Sequence, residues 1–533
     1  MHRLRSALRR LALGAAVGLV SAGVALGVGE LVAAFVRPAA APVIAVGNRF
    51  VLLTPESLKE YAIRRFGSHD KDVLLLGIYA AIAVLAVALG VAALRWLWVG
   101  AAGLLAFGAV GTWAAATANA SRSTDVVPTL VGTAVALAVL VYIVRATGLG
   151  NQWPLPRRTA TTPTSASEDD ADDAHPVPSR RTFLAGSAGA AAIAAGAGFG
   201  GRALQHRRFD AERSRRAVVL PRPASPAPPL PHGADLGRGA SPFVTANRDF
   251  YRVDTALTVP QLSTGSWQLR LHGQLDHPMT LTYDDLLARP LVERHVTMTC
   301  VSDAVGGPYV STAKFLGVPL APLLREVGLR AGADQLVGTS SDGMTIGTPT
   351  AVIMDGRDAM LAVGMNDEPL PIAHGFPCRM LVPGLYGYVS ATKWLVDLKT
   401  TTFAGRETYW VKRGWAARAP IRLQSRIDTP HGLTRLTAGQ RVTIAGVAWH
   451  QGVGIRSVQV RIDNGEWQDA RLGRVPSVDT WVQWMLPWTV SGNGPVTLQV
   501  RAVDGDGVVQ DEHRRAVFPS GATGWHSIVV TVA

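Results

Sequence analysis

The run LAVGMNDEPLPIAHGFPCRMLVPGLYGYVSATKWL, residues 361–395, gathers chemistry-bearing side chains between glycines and prolines. Arg379 and Lys393 suit an anionic group, the guanidinium by bidentate contact and the ammonium as a point charge. Gly384 and Gly387 permit tight turns and close backbone approach. Cys378 reads as a small buried core residue.

Working upstream, Cys300 sits in HVTMTCVSDAVGG (295–307), after an alternating strand-like stretch and before a Gly-Gly turn. Three readings stand. Cysteine is among the most commonly buried residues, so it can be core. As a nucleophile it needs a nearby base, and only His295 is local. As a thiolate ligand it suits a soft or high-valent metal, with an organic cofactor supplying the remaining bonds.

Taken together, the two stretches resemble the sulfite oxidase superfamily of molybdopterin enzymes. That family's pattern runs M-N-G-E-P-L-P, H-G-F/Y-P-V-R, V-P-G and K-W-L, and the resemblance spans roughly residues 240 to 533. It implies a molybdenum–molybdopterin cofactor, with Cys300 bonding the metal. It also implies cofactor contacts from His374 and Arg379, and phosphate-holding residues at Ala391, Thr392 and Lys393. Asp342, in GTSSDGM, matches an acid that contacts the pterin, although an acid before Gly343 is also an ordinary turn residue. Asn247, Tyr251 and Arg252, in NRDFYR, match the family's N-x-F-Y entry motif with one extra residue of spacing.

Two departures bear on the substrate. Sulfite oxidases follow the metal cysteine with A-G-N-R-R, whereas this chain has V-S-D-A-V-G-G, placing Asp303 where a cation is usual. The family's catalytic tyrosine falls at Trp415, with Lys412 and Arg413 keeping positive charge nearby. The cofactor is therefore better supported than sulfite as substrate.

Beyond residue 418 the chain alternates in strand fashion with Gly/Asn/Asp turns. The pattern predicts an all-β immunoglobulin-like sandwich over 419–533. It resembles the family's dimerisation domain and so implies a possible homodimer. Trp449, Trp481, Trp484 and Trp488 read as core or interface packing.

Residues before 241 are different. Leu11–Val36 carries one acid, Glu30, while Val73–Leu94, Trp96–Ala118 and Val126–Val144 carry no charge. A membrane span needs about 20 apolar residues. Residues 182–200 make a fifth, Ala/Gly-rich candidate. Arg3, Arg5, Arg9 and Arg10 place the N-terminus in the cytoplasm, and Arg95 and Arg145 agree. Arg64, Arg65 and Lys71 lie in the outer loop, against the rule. Gly14/Gly18 and Gly23/Gly27 have the small-xxx-small spacing that lets helices approach. Ser179-Arg180-Arg181-Thr182-Phe183-Leu184 resembles a twin-arginine export signal. The acidic run in the 146–181 loop reads as disordered, and residues 205–240 as a Pro-rich extended linker.

The expected protein is thus multi-domain. An N-terminal α-helical transmembrane bundle (1–204; spans 11–36, 73–94, 96–118, 126–144 and 182–200) leads into the linker. An α+β molybdopterin domain (241–418) and the β-sandwich follow. Its mean hydropathy of +0.19 averages a nearly uncharged third with an ordinary soluble remainder, and its charge of +13 serves topology rather than nucleic acid. Two cysteines exclude a disulfide scaffold. The histidines before residue 200, His2, His69 and His175, lie outside the spans, so no haem is expected there. The expected function is two-electron oxygen-atom transfer on a small-molecule substrate, on the extracytoplasmic side of the cell membrane, with an unidentified electron donor or acceptor. The rival reading is a cofactor-free, membrane-anchored binding or adhesion module.

Overall fold

Apolar helices fill the N-terminal unit of the computed structural model, which describes residues 2–55, 58, 61, 65–66, 70–147, 180–237 and 239–533. They are α1 (His2–Val36), α2 (Pro42–Leu53), α3 (Asp70–Ala93), α4 (Leu97–Ala116), α5 (Val127–Ala146) and α6 (Arg180–Arg208). Among the described residues, five helices are long and apolar enough to cross a membrane: all but α2. At 12 residues, α2 is too short to span. It forms inside the expected outer loop because Pro42 occupies its first turn, where no N–H is needed. The acidic loop and Ser179 lie outside the described residues, as do the side chains of Arg180 and Arg181.

Missing side chains set the packing of α1. Gly14 and Gly18 lie against Val91, Gly90 and Ala86 of α3, and Gly27 lies against Ala194 of α6. On α5, Gly132 meets Ala25 and Pro128 faces Gly29. A Cβ at Gly18, Gly27 or Gly132 would strike a backbone carbonyl. These pairs run α3 and α5 antiparallel to α1, and α6 parallel to it. The end of α1 therefore shares one end of the bundle with the end of α6. There Arg37 Nε donates to Asp125 Oδ1 at 2.8 Å.

Residues 211–255 and 259–533 form the second unit. Its middle part holds β1 (Gln268–Gly273), β2 (Met279–Thr282), β3 (Val292–Thr299), β4 (Val310–Pro319), β5 (Gln335–Ser340), β6 (Thr345–Pro349), β7 (Met360–Met365), β8 (Glu368–Pro369), β9 (Arg379–Leu381) and β10 (Leu395–Thr401). One sheet orders β2-β1-β10-β5-β6, with β1 and β10 parallel. The other orders β3-β4-β7-β8, with β9 paired to β7. Alternation is clearest in β1, where Leu269 and Leu271 point inward. β7 is buried at every position, as a strand covered on both faces should be.

The C-terminal part holds β11 (Gln424–Thr429), β12 (Arg435–Leu436), β13 (Arg441–Trp449), β14 (Ile455–Ile462), β15 (Gln468–Asp469), β16 (Arg471–Leu472), β17 (Val482–Thr489), β18 (Gly494–Asp504) and β19 (His526–Val532). They form sheets β11-β13-β17-β16 and β12-β19-β18-β14-β15 around a shared core that includes Trp484, Val458 and Val500.

Contacts cross the expected boundary at 418/419. Trp449 and Trp481 are buried in the core of the middle part. Trp481 Nε1 donates to the Phe243 carbonyl at 2.9 Å, and Asp479 O accepts from Thr297 N at 2.9 Å. The Pro-rich segment is not a free linker. It is extended, but Ala224 N donates to Leu291 O at 2.8 Å and Glu293 N to Ser225 O at 2.8 Å, so it lies along β3. Proline lacks one donor per residue, yet the neighbouring N–H groups still pair.

Candidate active site

Cys300 follows the last residue of β3, where the chain leaves the sheet. Its N–H donates to Tyr309 O at 2.9 Å, and its carbonyl accepts from Asp303 N at 3.1 Å. Asp303 Oδ1 accepts from Tyr309 N at 2.7 Å, closing the 300–309 loop like a cap. At Gly306, φ is +82° and the His526 ring occupies the place a Cβ would need. Arg426 Nη1 donates to Gly307 O at 2.8 Å, so the C-terminal sheets clamp this loop. The Cys300 sulfur is half-buried and accepts from Ser302 N at 3.4 Å. Burial pushes its thiol up to about 11, against the pull of Ser302 and Lys393. A bare cysteine here stays protonated near neutrality, so a nucleophile activated by lowered pKa does not describe it.

The second cluster is cationic. Arg379, on β9, is 4% exposed. Its Nη1 donates to His374 O at 3.2 Å, while its Nε is buried with no partner. Burial lowers its guanidinium to about 10. Lys393 is also largely buried, and its Nζ pairs with Asp254 at 2.8 Å. Burial pulls Lys393 down to about 8, with Asp254 opposing and Arg379 and Arg252 reinforcing. Arg252 reaches the same Asp254 carboxylate at 2.8 Å. Two cations thus share one carboxylate, with Arg379 standing beside them without a carboxylate of its own.

Gly375 brings the two key cations together. Its φ is +115°, and a Cβ there would lie 3.1 Å from Arg379 Cβ and 3.2 Å from Lys393 Cα. Met380 N donates to Thr392 O at 2.9 Å, tying β9 to the 391–394 segment. Around this point the hydroxyls of Thr392, Ser340 and Ser341 are buried without a partner. Ser341 N donates to Trp394 O at 2.9 Å, which sets the β5–β6 turn beside Lys393. Asp342 closes that turn by accepting from Met344 N at 3.1 Å.

The remaining predicted residues surround these groups. His374 Nε2 lies 3.0 Å from the Asn247 carbonyl, which only accepts, so Nε2 carries the proton. Burial, then Arg379, lowers His374 to about 4, so its ring is neutral. The Asn247 side chain is engaged with Asn366 and Glu368, bracing the β7–β8 turn. Tyr251 stacks on Phe250 at 5.4 Å, and burial, with Cys300 next, raises its hydroxyl far above the usual range. Ala391 N closes the short helix Gly387–Ser390 onto Gly387 O at 2.9 Å. Trp415 packs with Tyr388, Trp410 and Phe518, and its indole N–H is unpaired.

Sequence reasoning overlooked Asp254, Ser340, Ser341 and Tyr386. Tyr386 is buried, its hydroxyl raised to about 12, with Asp303 and Cys300 among the charges acting on it. Its signal lay within the quoted LYGYV stretch. Asp254 carried none, because an acid two residues after an arginine is ordinary in sequence.

An unpaired guanidinium N–H, a buried ammonium and three free hydroxyls make a cradle for an oxyanion such as phosphate. A thiol that ionises only with help suits a metal partner. One ligand holding both a soft metal and a phosphate fits the residues present.

Comparison with known proteins bears on this arrangement. Residues 256–410 match the family of the oxidoreductase molybdopterin binding domain. The mitochondrial sulfite oxidase of Drosophila melanogaster is 28% identical over 359 residues, 56% of this chain and 60% of that one. The human enzyme is 28% identical over 347 residues, 55% and 62% of the two chains. The uncharacterized oxidoreductase YuiH of Bacillus subtilis is 30% identical over 152 residues, 28% of this chain and 73% of that one. The chain thus spans about 60% of the length of these mitochondrial relatives. Among solved structures, the sulfane dehydrogenase SoxCD from Paracoccus pantotrophus aligns with a TM-score of 0.48 and 23% identity, covering 55% of this chain and 84% of that one.

Proposed function

Since the chain belongs to the sulfite oxidase family of molybdopterin-binding oxidoreductases, we propose that it is a membrane-anchored enzyme performing two-electron oxygen-atom transfer on a small substrate outside the cytoplasm. The observation that carries this reading is Arg379, a fully charged side chain buried beside Lys393 with its Nε unanswered. A buried charge without a partner is costly, and a bound oxyanion removes the cost.

When bound, the molybdenum cofactor supplies two-electron redox chemistry and oxygen-atom transfer. Cys300 would hold the metal through its thiolate, which the Ser302 N–H and Lys393 favour. Arg379 Nε and Lys393 Nζ would hold the terminal phosphate, with the unpartnered hydroxyls of Thr392, Ser340 and Ser341 as further donors. His374 stays neutral and fixes the Asn247 segment through its Nε2 proton. Asp342 and Tyr251 would contact the pterin, Trp415 would stand on the substrate side, and Arg252 pairs with Asp254. The 300–309 loop itself carries Asp303 and Tyr309 and no cation, and Tyr386 interacts with Asp303 and Cys300, which favours a neutral substrate over an anion such as sulfite.

The membrane reading rests on the five long helices and their directions. With the N-terminus cytoplasmic, five crossings put residues after Arg208 outside, and an export signal at Ser179–Leu184 agrees. The C-terminal sheets are read as an immunoglobulin-like sandwich of the kind that pairs two chains.

Metal analysis of the purified chain tests the proposal. About one molybdenum per chain is expected, and it should be lost in Cys300→Ser. Metal-free wild-type protein from a host that makes the cofactor would overturn it. An oxidase and reductase assay panel on the loaded protein then assigns the substrate.

A further inference from the structure

Inside the helical bundle lies a cavity of about 110 Å³ between α1, α2, α3, α4 and α5. Its walls are almost wholly apolar, from Leu26, Val43, Ile82, Leu104 and Phe107. Apolar cavities of this class, about 150 Å³ in one engineered case, stay dry and take up a single aromatic ring. Along α4 the lining runs from Gly100 to Gly111, which is roughly 16 Å of helix. The space is therefore a slot, long enough for a ring with part of a tail.

Three hydroxyl side chains, Ser21, Thr129 and Thr133, break the apolar lining, and two of them lack a partner. Ser21 is 4% exposed and Thr129 is 5% exposed, and the hydroxyl of each is buried with no partner. Helix hydroxyls commonly return to the backbone carbonyl four residues earlier, as Thr133 does to Thr129 O at 2.7 Å. Ser21 and Thr129 do not, so two hydroxyls at the cavity wall are left without a partner. In an apolar setting such donors cost free energy unless a ligand accepts from them.

Their spacing selects the ligand. Gly29 faces Pro128 and Ala25 faces Gly132, so Thr129 stands level with Val28 of α1. Ser21 lies seven residues below that level, or roughly 10 Å along the axis. Two carbonyl oxygens on opposite sides of a six-membered ring are roughly 5 Å apart, given C=O bonds of about 1.2 Å. Adding a hydrogen bond of about 2.8 Å at each end spans about 11 Å. An acyl chain of a lipid has no acceptor to offer either hydroxyl. None of the residues lining the slot is a histidine, the usual axial ligand of a haem.

We propose that this slot binds a membrane quinone, its two ring carbonyls accepting from Ser21 and Thr129 and its isoprenoid tail running along the apolar walls. The inference rests on the reading that these helices lie in a membrane. It would give a two-electron enzyme a diffusible two-electron partner within its own chain.

The test uses the full-length, molybdenum-loaded protein in phosphatidylcholine nanodiscs, with 2-methyl-1,4-naphthoquinone as probe and naphthalene as the acceptor-free control. Saturable binding of about one naphthoquinone per chain is expected, with naphthalene at least tenfold weaker. Ser21→Ala and Thr129→Val should each weaken naphthoquinone about fivefold, the equivalent of one hydrogen bond near 1 kcal/mol. Thr129→Ser keeps the hydroxyl and should restore affinity, which separates the contact from general damage to the bundle. No saturable binding, equal binding of naphthalene, or unchanged affinity in both variants overturns the proposal. Co-purification of phospholipid alone, undisplaced by the quinone, does the same. Molybdenum content and resistance to alkaline extraction, measured on the same sample, report separately on the cofactor and membrane readings.

Discussion

Replacing Arg379 by methionine sets the two states of the site against each other. The Arg379 guanidinium is buried, with one protein hydrogen bond and an unpaired Nε. Burial lowers it to about 10, which is some 2.5 pH units below the ordinary arginine value. At about 1.4 kcal/mol per unit, the charged form costs about 3 kcal/mol at neutral pH. Methionine has similar length and no charge, so cofactor-free Arg379→Met should be more stable than cofactor-free wild type by up to that amount. At roughly 2–4 °C per kcal/mol, the melting transition of the catalytic unit should rise by about 6–12 °C. With the cofactor the order reverses. The variant loses charge-assisted hydrogen bonds worth about 1.5–3 kcal/mol each, so cofactor retention should fall at least tenfold. The assay is scanning calorimetry of both proteins, made in hosts with and without cofactor synthesis, alongside molybdenum and pterin content. A cofactor-free variant that melts below cofactor-free wild type, and a loaded variant that keeps its full cofactor, would refute the reasoning.

Three further outcomes are expected. Burial lowers His374 and His526 to about 4, so their stabilising contribution is complete above about 6.5 and lost as pH falls towards 4, whereas buried Asp303 and Asp479, raised to about 6, gain stability over much of the same range. The two effects oppose, so Asp479→Asn should lose stability more steeply than wild type between pH 6 and 4, by about 1.4 kcal/mol per pH unit, in denaturant titrations; parallel curves would exclude the burial of that carboxyl. Gly18→Leu should aggregate on detergent extraction, because its Cβ meets the Ala86 carbonyl, while Gly77→Leu, with open space beside it, should remain monodisperse by size exclusion. Arg180→Lys combined with Arg181→Lys should keep the catalytic unit in the cytoplasm, inaccessible to external protease, and unchanged protease access would remove the export signal from the account.

Features carried by local pattern were legible in the amino-acid order. Span length and charge-free composition marked five helices to within a few residues at most ends, because a helix satisfies its own backbone and its apolar run needs no distant partner. The exceptions were the first and last, which begin or run on past the apolar stretch through Arg-rich segments. Cys300, His374, Arg379 and Lys393 could be singled out in the sequence through the family's motifs, and the fold brings the last three together around Gly375. What tertiary structure alone decided is who meets whom. Asp254 becomes the shared partner of Arg252 and Lys393, the Pro-rich segment lies along β3, and Trp449 and Trp481 of the C-terminal part bury into the core of the middle part. The same holds for Ser21 and Thr129, unremarkable serine and threonine in sequence, which become an opposed pair of unpaired donors once α1 and α5 pack antiparallel. A hydroxyl's partner, or its lack of one, is a property of the space around it, and that space is built by residues a hundred positions away.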